Sequence, residues 1–187
     1  MKKESRRVRM TKKMLKDALL ELLEEKPFGK ITIKEICDKA DVNRTTFYVY
    51  YETSEDLLRA VENDVLEQIP VSNKLQITDS DLEFLNLLTT FFEYVKENKR
   101  LFSVLILKAD NTSFNERLIQ TVMDKYQKQA ILKDTPLARY EYIFCINGVV
   151  GCLKKWIEAD FPFTSQKFAE MVLKMSIHAT SVDGLTL

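Results

Sequence analysis

The side chains best suited to chemistry lie together in residues 43–50, Asn43-Arg44-Thr45-Thr46-Phe47-Tyr48-Val49-Tyr50. One Arg, two Thr and two Tyr on a short helix supply a bidentate partner for guanine, hydroxyls for phosphate oxygens and a methyl for thymine. That set suits a DNA groove. Asn43 is placed to cap such a helix, and spacings of five and four turn Val42, Phe47 and Tyr51 inward, leaving Arg44, Thr45, Thr46, Tyr48 and Tyr50 outside. Catalysis has no comparable set. The single His, His178, has no Cys or carboxylate at ligand spacing, and Cys37, Cys145 and Cys152 are too scattered to clip a metal. Cys145 and Cys152, about 10.5 Å apart along one helix, are too distant for a disulfide within it. No catalytic residue, metal or cofactor is therefore expected.

Charge points the same way. The 187 residues carry 28 basic and 28 acidic side chains, but residues 1–52 hold 13 Lys/Arg against 9 Asp/Glu, and residues 53–187 hold 15 against 19. Within the first sixteen the count is eight basic to one acidic, which reads as an arm for polyanions. No apolar leader follows this arm, and an odd number of separated cysteines fits a reducing compartment, so a cytoplasmic protein is expected. The longest nearly apolar stretch, Tyr142 to Leu153, falls well short of the roughly 20 residues a membrane span needs. With 45% apolar residues and only four Gly and four Pro, the composition leans to helices.

Those groove-facing residues need helices to position them. Met14, Leu15, Ala18, Leu19, Leu22 and Leu23 form the inner face of a first helix, with Thr11 as its expected cap and Lys26-Pro27-Phe28-Gly29 as its stop. Thr32 caps a second helix through Ala40, and Glu35 completes a capping box with it. Asp41-Val42 makes a tight turn into the helix from Arg44 to Tyr50. Ser54 is the expected cap of a fourth helix, which carries Leu57, Leu58, Val61, Val65 and Ile69 on one face and ends at Pro70. The polar run 72–80 marks a boundary, after which come longer amphipathic helices around Leu82–Val95, Leu101–Leu107, a stretch following Ser113, Leu137–Ala159 and Thr164–His178. The expectation is an all-α chain of about nine helices: a basic arm and helix-turn-helix over 1–53, a connecting helix over 54–70, and a larger body over 71–187.

The segment Val42 to Leu58 resembles the DNA-binding motif of the TetR family of one-component transcriptional regulators. The family pattern runs roughly Gly-Val-Ser-x-x-Thr-Phe-Tyr-x-Tyr-Phe, then a polar turn and Glu-Asp-Leu-Leu. Val42, Thr46, Phe47, Tyr48, Tyr50, Glu55, Asp56, Leu57 and Leu58 match it. The resemblance covers residues 11 to about 66. It implies that Thr32 contacts phosphate, that Lys34 lies near DNA, and that Asn43, Arg44, Thr45, Thr46, Tyr48 and Tyr50 belong to the recognition helix. Three positions depart from the pattern. Asp41 takes the usual Gly place in the turn, which a short polar side chain tolerates. Glu52 and Ser54 stand where many members carry Lys, so either the basic arm supplies much of the phosphate contact or the affinity is modest.

In the body, Gly148 and Gly151 interrupt a long helix at a cost of about 1 kcal/mol each relative to Ala, so a second helix is expected to approach closely there. It comes either from the same subunit or from a partner. The resemblance implies the partner: the last two long helices would form a homodimer interface through Gly148, Gly151, Cys152, Trp156, Phe168, Met171 and Met175. A two-fold dimer sets its recognition helices one DNA turn apart and so implies a palindromic operator. Phe91, Phe92, Phe102, Tyr126, Phe144 and Asn147 are candidates for an apolar pocket that holds a small-molecule effector. The expected function is thus a dimeric repressor that an effector releases from double-stranded DNA. The alternative is an adaptor of the same fold that acts through protein contacts, with DNA binding weakened by Glu52 and Ser54.

Overall fold

A computed structural model describes residues 5–69, 80–107, 112–128 and 135–180, and every element in them is helical. Nine α-helices are present among these residues: α1 (Arg6–Glu25), α2 (Ile33–Ala40), α3 (Arg44–Tyr50), α4 (Ser54–Glu67), α5 (Ser80–Glu97), α6 (Lys99–Phe102), α7 (Thr112–Lys128), α8 (Pro136–Glu158) and α9 (Ser165–Thr180). The chain divides into two compact units between Glu67 and Gln68, so α4 is grouped with α1 to α3. The polar run 72–80 lies almost wholly outside the described residues.

In the first unit α1 packs against α2 and α4, and α2 against α3. The shared core is Leu15, Leu19, Ile36, Phe47, Leu57 and Val65, all fully buried. Two helix starts differ from expectation. Ser5, not Thr11, caps α1, its hydroxyl accepting from the Val8 amide at 3.3 Å. Thr11 instead lies inside the helix and donates to the Arg7 carbonyl at 3.1 Å. An earlier cap followed by adequate helix formers lets the helix run back, so Arg6, Arg7 and Arg9 are held on a rigid element rather than on a tail. Likewise Thr53, not Ser54, caps α4: its hydroxyl accepts from the Asp56 amide and the Asp56 carboxylate accepts from the Thr53 amide, each at 3.1 Å.

The second unit is built on α5 against α9, with α8 against α9 and α7. A π-helical stretch, Ser103–Leu107, continues α6 and buries Val104, Leu105 and Ile106. At the centre Trp156 lies flat on Phe168, with ring centroids 4.5 Å apart and planes 4° from parallel. Phe92 and Phe161 meet the indole edge-on at 5.9 and 4.7 Å, and its N–H donates to the Phe163 carbonyl at 3.2 Å. The α8–α9 turn needs two consecutive left-handed residues, Asp160 (φ 57°) and Phe161 (φ 58°). The turn holds that strain with a bond from the Phe161 amide to the Trp156 carbonyl, 2.8 Å, and an ion pair from Lys99 to Asp160, 2.7 Å.

Candidate nucleic-acid interface

The turn into α3 is built from backbone chemistry that the sequence supplies residue by residue. Thr32 and Glu35 form a full capping box at the start of α2: the Thr32 hydroxyl accepts from the Glu35 amide at 3.3 Å, and the Glu35 carboxylate accepts from the Thr32 amide at 3.0 Å. Asp41 ends α2 in the left-handed region (φ 51°, ψ 45°), and the Val42 amide reaches back to the Cys37 carbonyl at 3.0 Å. Asp therefore serves where a Gly is usual. Asn43 then caps α3, its side-chain oxygen accepting from the Thr45 amide at 2.8 Å.

Charge fixes α2 upon α1. Lys39 binds Glu25 at 2.8 Å and Glu21 at 3.4 Å, and Lys26 binds Glu35 at 2.5 Å. The Lys26 hydrogen bond, followed by those from the Thr32 amide and hydroxyl, lowers the Glu35 carboxyl from 4.5 to about 2. A carboxyl depressed on folding contributes stability that is complete above pH 4.5 and is lost as pH falls through about 2. The melting temperature of the wild type should accordingly fall more steeply between pH 4.5 and 2 than that of Glu35→Gln, which keeps a capping amide without the titration. Parallel curves would contradict the assignment.

On α3, Phe47 is wholly buried, with Tyr48 edge-on at 5.6 Å and Tyr51 at 5.8 Å, and Tyr51 is buried with it. Asn43, Arg44, Thr45 and Tyr48 are exposed, while Thr46 and Tyr50 are half-buried at the flank. Val42, expected inside, is only half-buried. Lys12 of α1 stands 5.6 Å over the Tyr50 ring, a cation–π contact that ties the basic helix to α3. Thr32 and Lys34 are also exposed. The most exposed apolar residue of α3, Val49 at 69%, is one that sequence reasoning passes over in favour of polar neighbours.

The second unit sorts the expected pocket and interface residues differently. Phe92 and Phe102 are buried core, Phe91 is half-buried against both, and the side chain of Tyr126 lies outside the described residues. Phe144 is 72% exposed, and Asn147, also exposed, donates to its own helix at the Ile143 carbonyl, 2.7 Å. An open groove of about 230 Å³ does occur, between Leu85 of α5 and Glu170, Leu173, Lys174 and Ile177 of α9, and none of the six expected residues lines it.

Trp156 and Phe168, expected between subunits, are buried by their own subunit and have no surface left to offer. Gly148 and Gly151 are exposed, and beyond the adjoining backbone of α8 and the flanking residues no atom of the described residues lies within 4 Å of a Cβ built on either. No described helix of the same subunit therefore approaches closely there. Met175 is 60% exposed, while Cys152 and Met171 are half-buried. The exposed stripe on α8 is instead Leu137, Tyr140, Phe144, Gly148 and Gly151, spaced three, four, four and three apart. Among the described residues no cluster of His, Cys, Asp and Glu could hold a metal, and no helix is long and apolar enough to cross a membrane.

Residues 82–178 match the family model of the TetR class described as the transcriptional regulator C-terminal region, and residues 15–61 match that of the bacterial regulatory proteins, tetR family. The chain belongs to the TetR family of transcriptional regulators. Within that family it is 31% identical over 172 residues to YxbF, an uncharacterized HTH-type transcriptional regulator of Bacillus subtilis (strain 168). That match covers 84% of this chain and 43% of YxbF, so the chain spans less than half the length of that relative. The TetR fold is shared with a TetR transcriptional regulator from Streptococcus agalactiae 2603V (23% identity, TM-score 0.69, 91% of this chain and 96% of that one). It is shared too with NalD, the secondary repressor of the MexAB-OprM multidrug efflux pump in Pseudomonas aeruginosa (16% identity, TM-score 0.66, 92% and 97% coverage). Regulators of the TetR family bind DNA, and α2-turn-α3 is the helix-turn-helix of this one.

Proposed function

We propose that this TetR-family chain is a cytoplasmic, non-enzymatic homodimeric repressor that a small-molecule effector releases from a palindromic operator. The observation that carries the DNA-binding half is the sidedness of α3. Phe47 and Tyr51 anchor the helix in the core, while Arg44, Thr45 and Tyr48 remain exposed to solvent. Arg44 pairs with a guanine edge, while Lys34, Thr46 and Tyr50 hold phosphates and fix the register; the Thr32 amide and hydroxyl both donate to the Glu35 carboxylate, so Thr32 serves as the cap of α2. Asn43 sets the helix start from which all of them project. Repression is the sign of regulation by NalD, which shares the fold.

Dimerisation is supported by the α8 stripe. Two helix-interior glycines with open space beside them, flanked by exposed Leu137, Tyr140 and Phe144, form a surface that a second copy of the same helix would close. Phe144→Lys would put two charges into that seam without touching the subunit core. It is expected to leave helical content unchanged and convert a dimer to a monomer in sedimentation equilibrium, with loss of palindrome binding. A variant that stays dimeric contradicts the interface. Effector release follows from linkage: a ligand that prefers a body conformation in which the two α3 helices are wrongly spaced weakens operator binding by its differential affinity.

A further inference from the structure

Two exposed residues of α3 stand directly away from its buried side. Thr45 and Val49 each lie two residues from Phe47, about 200° around a helix that turns 100° per residue, and they are four apart, one above the other on the same face. Phe47 is completely buried and Val49 is 69% exposed, so the outermost ridge of α3 is lined with methyl groups: two from Val49 and one from Thr45. Arg44 and Tyr48 flank this ridge on one side, Thr46 and Tyr50 on the other. A single exposed aliphatic is ordinary on a protein surface. Its place on the crest, between hydrogen-bonding flanks and with no described side chain packed over it, gives it a use.

We infer that Val49 is a specificity-determining residue that reads the 5-methyl group of a thymine in the major groove, with Thr45 as its neighbour on the same ridge. The inference rests on the proposal that α3 is the recognition helix, and adds to it a wholly aliphatic contact beside the Thr45 methyl. The physical basis is that thymine alone presents a methyl on the major-groove floor, and an aliphatic side chain gains by burying it where a hydroxyl or amide would lose hydration. Burial of one methyl corresponds to about a fourfold change in affinity per half-site.

The test pairs a methyl removed from the protein with one removed from the DNA. Duplexes selected by the wild-type protein are remade with deoxyuridine in place of each thymine in turn, and wild type and Val49→Ala are titrated against every one. Ala is a better helix former than Val and the site is exposed, so the variant keeps its fold, which a thermal melt verifies. The expected result is one thymine position per half-site at which deoxyuridine weakens wild type about fourfold and leaves Val49→Ala unchanged. An equal penalty for both proteins at every thymine, or a selected half-site with no thymine, overturns the role of Val49 while leaving α3 as the recognition helix. Failure of the wild type to select any sequence removes the recognition-helix reading itself, and Val49 with it.

Discussion

Arg44→Ala is expected to abolish sequence-specific DNA binding while leaving the protein as stable as before. A bidentate Arg–guanine pair is worth about 1–3 kcal/mol of discrimination, and a symmetric dimer loses it twice, so specific affinity should drop by about 2–6 kcal/mol, roughly thirty-fold at the least. Arg44 is exposed, and surface substitutions of this kind change stability by only about 0.5 kcal/mol in either direction. Non-specific binding at low salt should persist, because the proposed phosphate contacts and the basic face of α1 are untouched. Titration of one selected duplex and one scrambled duplex, together with a thermal melt, separates these effects. Equal weakening on both duplexes would make Arg44 a phosphate contact. A large fall in melting temperature would make it structural.

The second large effect is on stability. Trp156→Ala removes the ring stacked on Phe168, the edge contacts from Phe92 and Phe161, and the donor to the Phe163 carbonyl. Truncating a buried aromatic of this size costs about 3–5 kcal/mol, a large share of the stability of a small domain. The cost is compounded at Asp160 and Phe161, whose left-handed backbone is held by that cluster. Urea unfolding followed by far-UV circular dichroism should show the midpoint falling by about 1 M or more at a slope of about 1–3 kcal/mol per M. In the wild type, Trp156 is the sole Trp, so its fluorescence reports the same transition. A loss below about 1 kcal/mol would contradict its place at the centre of the core.

What is legible in the residues follows from how local the physics is. The turn from α2 to α3 depends on near neighbours: the Thr32–Glu35 box, the left-handed Asp41 and the Asn43 cap each involve residues within five positions, and each can be read from spacing. Competing caps are harder, because Ser5 and Thr11, or Thr53 and Ser54, are chemically equivalent candidates, and the choice rests on where the helix packs. Least legible is α8. Apolar residues surround most of its circumference, so a one-dimensional pattern does not say which stripe faces the subunit core and which is left for a partner. Trp156 therefore reads as interface and Phe144 as pocket, when the first is core and the second is exposed. Val49 escapes notice because its polar neighbours carry the hydrogen-bonding chemistry, and its 69% exposure opposite Phe47 is what marks it.

The pH response of Glu35 and the oligomeric state of Phe144→Lys test the supports of this account, whereas its centre is sequence recognition by α3. Selection of bound duplexes from a random pool by the purified full chain, at two salt concentrations, addresses that centre most directly. The predicted result is a palindrome whose half-sites lie one helical turn, about 34–36 Å, apart, with affinity falling steeply as salt rises. Enrichment of no sequence even at low salt would contradict it, and would turn attention to the exposed α3 face, with Glu52 beside it, as a surface for another protein.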